Sequence, residues 1–209
     1  MRVAIFGGTG RTGRPLVEQA LAAGHEVSAL ARDPARLAAR HERLRPVRGD
    51  LLDPTSVAAT LDGADAAVFV AGPPGRGPCT LYSEGGGNVV KAMEPAGARR
   101  LLAMTASAVE FEANDTRLLR LAKPVLMRLF RETYADMLRM EAMVRQTDLD
   151  WTIVRPPQLT NRSHTGRYRV SYAGGVRRGL RIPRADLAAA LLALLTDPRA
   201  VHATVGVAT

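Results

Sequence analysis

A doubly wound α/β architecture, a parallel sheet with helices on both faces, is the fold class that this sequence predicts, and three observations predict it. Val3-Ala4-Ile5-Phe6 and Ala66-Ala67-Val68-Phe69-Val70-Ala71 are short, wholly apolar runs without alternation, as strands buried on both faces require. Between such runs lie stretches with helical spacing, the first of them carrying Leu16, Val17, Ala20 and Leu21. The first strand is joined to the first helix by a glycine-rich turn, Gly7-Gly8-Thr9-Gly10-Arg11-Thr12-Gly13.

Strand, glycine turn and helix in that order form half of a nucleotide-binding βαβ unit. Gly7 permits a tight turn, Gly10 lets phosphate oxygens approach the backbone, and Gly13 removes a side chain where helix and strand pack closely. Free N–H groups at the helix start would face a pyrophosphate. The spacing, Gly-x-x-Gly-x-x-Gly, is one residue longer in its first gap than the usual dinucleotide fingerprint.

The second strand, His25 to Ala31, follows Gly24. Arg32 stands at its tip, where an acidic side chain would accept from a ribose 2′-OH and an arginine suits a 2′-phosphate instead. Arg36 lies one turn further and Arg11 is also near; Asp33 is acidic and adjacent, but Asp33-Pro34 reads as a helix start. NADP(H) is therefore the expected cofactor. Leu44 to Arg48 is a third strand, followed by Gly49-Asp50-Leu51. Asp50 is either an acceptor for an adenine amino group or a turn residue. Asp53-Pro54-Thr55 starts a helix running toward Leu61, and the apolar run 66–71 is central to the sheet.

A loop over residues 72–78 is expected to cover the cofactor, followed by a helix from Thr80 to Glu94 despite Gly85-Gly86-Gly87. Those glycines cost about 1 kcal/mol each against alanine, offset by close helix–sheet packing or by an approaching ligand. Arg99 to Thr105 is a fifth strand, and Ser107, just past its end, is a site candidate or a turn serine. Residues 116 to 132 are rich in Leu, Met and Arg; Lys123-Pro124 is expected to interrupt them, favouring a lid or packing element over a membrane-surface helix. Glu132 to Gln146 is a helix with Tyr134, Met137, Leu138 and Glu141 on one face, Glu141 pairing with Arg145. Trp151 to Val154 is a sixth strand ending in Pro156-Pro157-Gln158-Leu159. Gly166 to Val170 is expected as an edge strand over the site, and the helix 184–195 and strand 203–207 close the chain.

The 209 residues are expected to form a single dinucleotide-binding domain, with residues 108–135 and 156–183 as a small cap on the substrate side. Apolar content of 46% and charged content of 23% are globular values. No apolar run reaches the roughly 18 residues of a membrane span, and the opening strand leaves no room for a signal peptide. The lone Cys79 forms no internal disulfide, so a cytoplasmic location is expected. The net charge of +9 comes almost wholly from scattered arginines, with lysine only at 91 and 123, so no nucleic-acid partner is expected; with Pro124 interrupting the Leu/Met/Arg-rich segment, no membrane partner is expected either. Monomer and homodimer stay open. Dispersed histidines give no metal-ligand spacing, and no Gly-x-Ser-x-Gly elbow marks a nucleophile. What remains is hydride transfer from a nicotinamide.

The chain resembles the atypical short-chain dehydrogenase/reductases of the NAD(P)H-binding, NmrA-like type, in the branch containing biliverdin-IXβ reductase, also called NADPH-dependent flavin reductase. The likeness runs through residues 5–13, Arg32-Asp33, Gly49-Asp50, the strand end at Ser107, residues 149–157, Thr165-Gly166-Arg167-Tyr168 and residues 182–188. It implies a Rossmann sheet with Gly7 and Thr9, Gly10, Arg11, Thr12 and Gly13 holding the pyrophosphate, and Arg32 and Arg36 the 2′-phosphate. It further implies Asp50-Leu51 at the adenine, Ala71-Gly72-Pro73 and Thr105 along the cofactor, and Pro157, Gln158 and Leu159 at the nicotinamide. Ser107 and Gln158 become the catalytic candidates.

Two departures shape the expected chemistry. Leu138 stands four residues after Tyr134, so the usual Tyr-x-x-x-Lys pair is absent, and Gln158 replaces the histidine of biliverdin-IXβ reductase. The expectation is an NADPH-dependent reductase of a planar conjugated small molecule such as a flavin, a quinone or a tetrapyrrole. Alternatives are a non-catalytic NAD(P)H sensor and an epimerase/dehydratase-like enzyme.

Overall fold

The computed structural model describes the chain except Ala38, Ala39, Pro74, Arg76, Pro78 and residues 112–116; parts of the expected 72–78 loop and 108–135 cap fall outside the described residues. The main sheet is built from β1 (Arg2–Phe6), β2 (Glu26–Ala31), β3 (Leu44–Arg48), β4 (Ala66–Phe69), β5 (Arg100–Met104), β6 (Asp150–Arg155), β8 (Arg169–Ser171) and β10 (Ala203–Ala208). Its order is β3-β2-β1-β4-β5-β6-β10-β8, all parallel but for β8, which runs antiparallel to β10. From β1 the chain first builds outward to β3, then returns to place β4 on β1's other side. That reversal opens a crevice at the carboxyl ends of β1 and β4.

The apolar runs behave as two-faced strands. Val3 and Ile5 join a core with Leu16, Val17 and Leu21 of α1 (Gly13–Ala22) and Leu187, Leu191 and Leu194 of α6 (Arg184–Leu195). Ala4 and Phe6, on the opposite face, join a second core with α2 (Pro54–Leu61), α3 (Gly86–Met93) and α5 (Arg131–Arg145). The period-2 alternation of side chains thus feeds both layers from one strand. Asp53 starts α2 as expected, its carboxylate accepting from the N–H groups of Thr55 and Ser56 at 3.1 Å each.

Four expectations need correction. First, the expected 80–94 helix is two pieces, a π-helical turn over Leu81–Gly85 and then α3. Two of its glycines meet neighbours outside the sheet. A Cβ on Gly85 would lie 2.7 Å from Leu51, and one on Gly86 2.7 Å from the Met140 sulfur, so the constraint is packing on α5 and the Leu51 turn. Second, Pro124 does not interrupt its segment, because α4 (Arg117–Leu129) runs through it. The lost N–H bond falls at Arg120, an exposed position. Third, the strand expected at 166–170 is β8, three residues later, and it forms the far edge of the sheet rather than covering the site. Val170 and Tyr172, two apart, find apolar contact with the α1/α6 core there. Fourth, Gln158–Thr160 (β7) and Arg181–Pro183 (β9) form a separate two-stranded parallel sheet with no counterpart in the sequence reading.

Candidate functional site

The glycine turn is held from two sides. Gly7 has φ +100°, and a Cβ there would lie 2.6 Å from the Ala71 nitrogen, so the loop is pressed against the end of β4. A Cβ on Gly13 would strike the Gly7 carbonyl oxygen, which closes α1 onto the same turn. Gly10 differs: a Cβ there meets only that carbonyl oxygen, at 3.1 Å, and otherwise opens outward. The Gly10 N–H donates to Gly7 O at 3.0 Å, and Arg14 N–H donates to Gly10 O at 3.0 Å. The backbone N–H groups of Arg11 and Thr12 have no partner among the described residues. Thr12 makes no side-chain cap and the first turn of α1 carries no acid, so the positive helix end is left for an anion.

Outward of this turn lies a crevice of about 250 Å³, lined by Gly7, Thr9, Gly10, Arg32, Asp50, Leu51, Ala71 and Gly72 among the residues expected from sequence, together with Leu30, Leu52, Val70 and Leu81. It collects the carboxyl ends of β1, β2, β3 and β4. At the tip of β2 the charge question resolves: the Asp33 carboxylate accepts from Ala35 N–H at 3.1 Å and caps the turn Pro34–Arg36. Arg32 and Arg36 are exposed, with no carboxylate partner among the described residues. Asp50 serves as a turn residue, accepting from Leu52 N–H at 3.0 Å, while also lining the crevice.

A second cavity, about 440 Å³, opens beyond the ends of β5 and β6. Ser107, Pro157 and Gln158 line it, and so do Ala122 and Leu126 of α4, Tyr134 of α5, and Leu180. Ser107 is fixed by its N–H donating to Pro156 O at 3.0 Å, and its hydroxyl has no partner among the described residues. Burial pushes the Tyr134 phenol above its ordinary pKa of 10. Two residues expected along the cofactor are committed elsewhere. Thr105 is buried and its hydroxyl donates to Glu141 at 2.7 Å; Leu159 packs against the α1/α6 core. Pro73 follows Gly72 but lines neither cavity.

Beneath the second cavity lies an ion network that the sequence reading did not find. Glu141, fully buried on α5, accepts from Arg155 Nε at 3.0 Å and from a terminal guanidinium nitrogen at 2.5 Å, and pairs with Arg145 at 2.8 Å. Burial alone would raise its carboxyl pKa; the bonds from Arg155 and Thr105 and the charge of Arg145 outweigh that and hold it below 4.5. Arg155 also donates to Glu110 at 2.9 Å, tying the end of β6 to the turn that begins at Ser107. On the same helix, buried Asp136 accepts from Tyr82 N–H at 2.8 Å and from the Ser83 hydroxyl at 2.5 Å, which pins the π-helical turn. In the sequence Glu141 carried two signals, its place on the apolar face of α5 and its spacing from Arg145; Asp136 carried none. Asp186, inside the 182–188 stretch, accepts from Thr165 N–H at 2.8 Å and Gly166 N–H at 3.0 Å and lies 2.8 Å from His164 Nδ1. Two segments of the family resemblance are thereby latched together.

Comparison with known proteins agrees with this geometry. The model of the NAD(P)H-binding family matches residues 7–198. A 3-diazoavenalumate denitrifying reductase from a Streptomyces species is 38% identical over 117 residues, covering 50% of this chain and 38% of that protein. An uncharacterized chloroplastic protein of Arabidopsis thaliana is 25% identical over 195 residues, covering 86% of this chain and 68% of that one. This chain thus spans well under half the length of the Streptomyces reductase. Among solved structures, a wide-type short-chain dehydrogenase/reductase from Veillonella parvula in complex with NADP superposes with a TM-score of 0.80 at 17% identity, covering 100% of this chain and 94% of that one. A putative epimerase from Bacteroides thetaiotaomicron does so with a TM-score of 0.78 at 22% identity, covering 99% and 96%. Those two share the fold. With the family match extending over nearly its whole length, the chain belongs to the NAD(P)H-binding family.

Proposed function

We propose that this protein is an NADPH-dependent oxidoreductase whose acceptor is a planar conjugated small molecule such as a flavin, a quinone or a tetrapyrrole. One observation carries the cofactor half: Arg32, which lines the crevice, and Arg36 have no carboxylate partner among the described residues, Asp33 is turned to capping, and the glycine turn with its uncapped helix start borders the same crevice. A 2′-phosphate and a pyrophosphate are the anions that this arrangement fits. The bound dinucleotide supplies the hydride. For the acceptor, the second cavity offers walls of Ala, Leu and Pro with Ser107, Gln158 and Tyr134 as its polar groups. The reductase name of the Streptomyces relative supports redox chemistry.

A second reading, an NAD(P)H sensor without turnover, is favoured by Leu138 standing where a Tyr-x-x-x-Lys relay would need lysine. The two separate on one measurement, the loss of nicotinamide absorbance on adding FMN, FAD or a quinone series. The reductase consumes NADPH in proportion to acceptor; a sensor binds it and stops.

Two substitutions test the assignments. Arg32→Ala should weaken NADPH by about 1.5–3 kcal/mol, the range for hydrogen bonds to charged groups, and leave NADH almost unchanged. Equal losses for both cofactors would refute the 2′-phosphate role. Ser107→Ala should lower kcat/KM about tenfold with an unaltered pH profile, because a neutral positioning bond is worth about 0.5–1.5 kcal/mol. A loss beyond about a thousandfold, or a vanished pH limb, means that Ser107 belongs to a proton relay.

A further inference from the structure

Helix α4 faces the wrong way for a buried lid. Leu121, Val125 and Leu129, spaced i, i+4 and i+8, are 77%, 68% and 48% exposed. At about 100° per residue they form one stripe along the outer side of the helix. Such contiguous apolar exposure marks a contact surface rather than ordinary scatter. On one flank of the stripe stand Arg120 and Arg128, both exposed and neither with a carboxylate partner among the described residues. On the other flank Ala122 and Leu126 form a wall of the 440 Å³ cavity, together with Leu180, itself 45% exposed. Lys123 turns inward, its Nζ donating to Glu110 O at 2.5 Å, which fixes the rotation of the helix.

We propose that α4 docks this protein onto an anionic lipid bilayer, with its apolar stripe at the acyl boundary and its arginines among the headgroups. Charge complementarity selects this occupant. A two-fold pairing of the stripe with a second copy would bring arginine rims together, and three side chains present far less than the roughly 800 Å² per partner of a stable dimer. Arginines beside an apolar face instead match a surface of negative headgroups. Among the described residues no helix is long and apolar enough to cross a membrane, so the contact is interfacial. The expectation of no membrane partner rested on Pro124 ending the helix, which it does not do. Docking is independent of the redox reading.

The test is co-sedimentation of the full chain with vesicles of phosphatidylcholine alone and of phosphatidylcholine mixed with phosphatidylglycerol. Binding is expected to the mixed vesicles, with release by high salt and little binding to phosphatidylcholine alone. Arg120→Gln with Arg128→Gln should weaken it roughly thirtyfold, about fivefold per cation. Leu121→Asp with Val125→Asp should weaken it by more than about tenfold. NADPH affinity, unchanged in each variant, reports that the fold is intact. The proposal is overturned if the wild type ignores the mixed vesicles, or if both double variants bind as the wild type does. It is equally overturned if light scattering shows a wild-type dimer that the Asp variant makes monomeric, since the stripe is then a self-interface.

Discussion

Glu141→Ala is expected to lower the free energy of unfolding by about 3–5 kcal/mol, the usual cost of leaving one partner of a buried ion pair alone. Arg155, buried at the end of β6, would lose both bonds to Glu141 while keeping its bond to half-exposed Glu110. Thr105 would lose its acceptor as well. For a chain of this size about 2–4 °C accompanies each kcal/mol, so the melting temperature should fall by about 6–20 °C. Calorimetry checks this, and a melt within about 2 °C of wild type would show that the guanidinium is satisfied without Glu141. A pH arm follows from the sign of the shift. Because the folded-state pKa of Glu141 lies below 4.5, its contribution is fully present above 4.5 and is lost as pH falls through the folded value. Wild type and Glu141→Ala should therefore converge in stability toward acid pH.

Gly10→Val should leave that melt near its wild-type value and abolish cofactor binding. The added Cβ meets only the Gly7 carbonyl oxygen, at 3.1 Å, so the loop yields by a few tenths of an ångström. Its methyl groups then occupy the opening in front of the free N–H groups of Arg11 and Thr12. Two charge-assisted bonds at about 1.5–3 kcal/mol each correspond to a loss of about 10²–10⁴-fold in NADPH affinity. Titration of nicotinamide fluorescence measures it. Wild-type affinity in a folded variant would place the dinucleotide elsewhere. Gly7 and Gly13 are poor substitutes for this test, since side chains there collide with the backbone of the turn itself.

The sheet and the crevice were legible in the sequence because their signals are local. Apolar runs without alternation announce central strands, and glycines at fixed offsets after the first of them announce a phosphate turn. Asp33 was also readable, since Asp-Pro opening a turn is a short-range pattern that the hydrogen bond to Ala35 bears out. What escaped was non-local. The glycines at 85–87 make sense only beside Leu51 and α5, which lie far along the chain in opposite directions. Glu141 read as the partner of Arg145, four residues on, because nothing in the sequence says that Arg155 returns from the end of the next strand to meet it. Pro124 misled for a simpler reason: a helix tolerates proline where the orphaned carbonyl faces water, and exposure is a property of the folded chain.

The central position of β1 has a consequence in time. The segment is synthesised before β4, yet one of its two edges pairs with that strand, Val3 with Ala66, a partner that appears 63 residues later. At ordinary rates of translation that interval is about 3–12 s. Throughout it a nascent chain holding β1, β2 and β3 presents an open, apolar strand edge of the kind that invites misassociation. The glycine turn is unfinished for the same period, because Gly7 takes its shape against Ala71, just past β4. A growing polypeptide therefore carries the glycine signature long before it can hold a nucleotide, and ligand cannot rescue the early half of the fold.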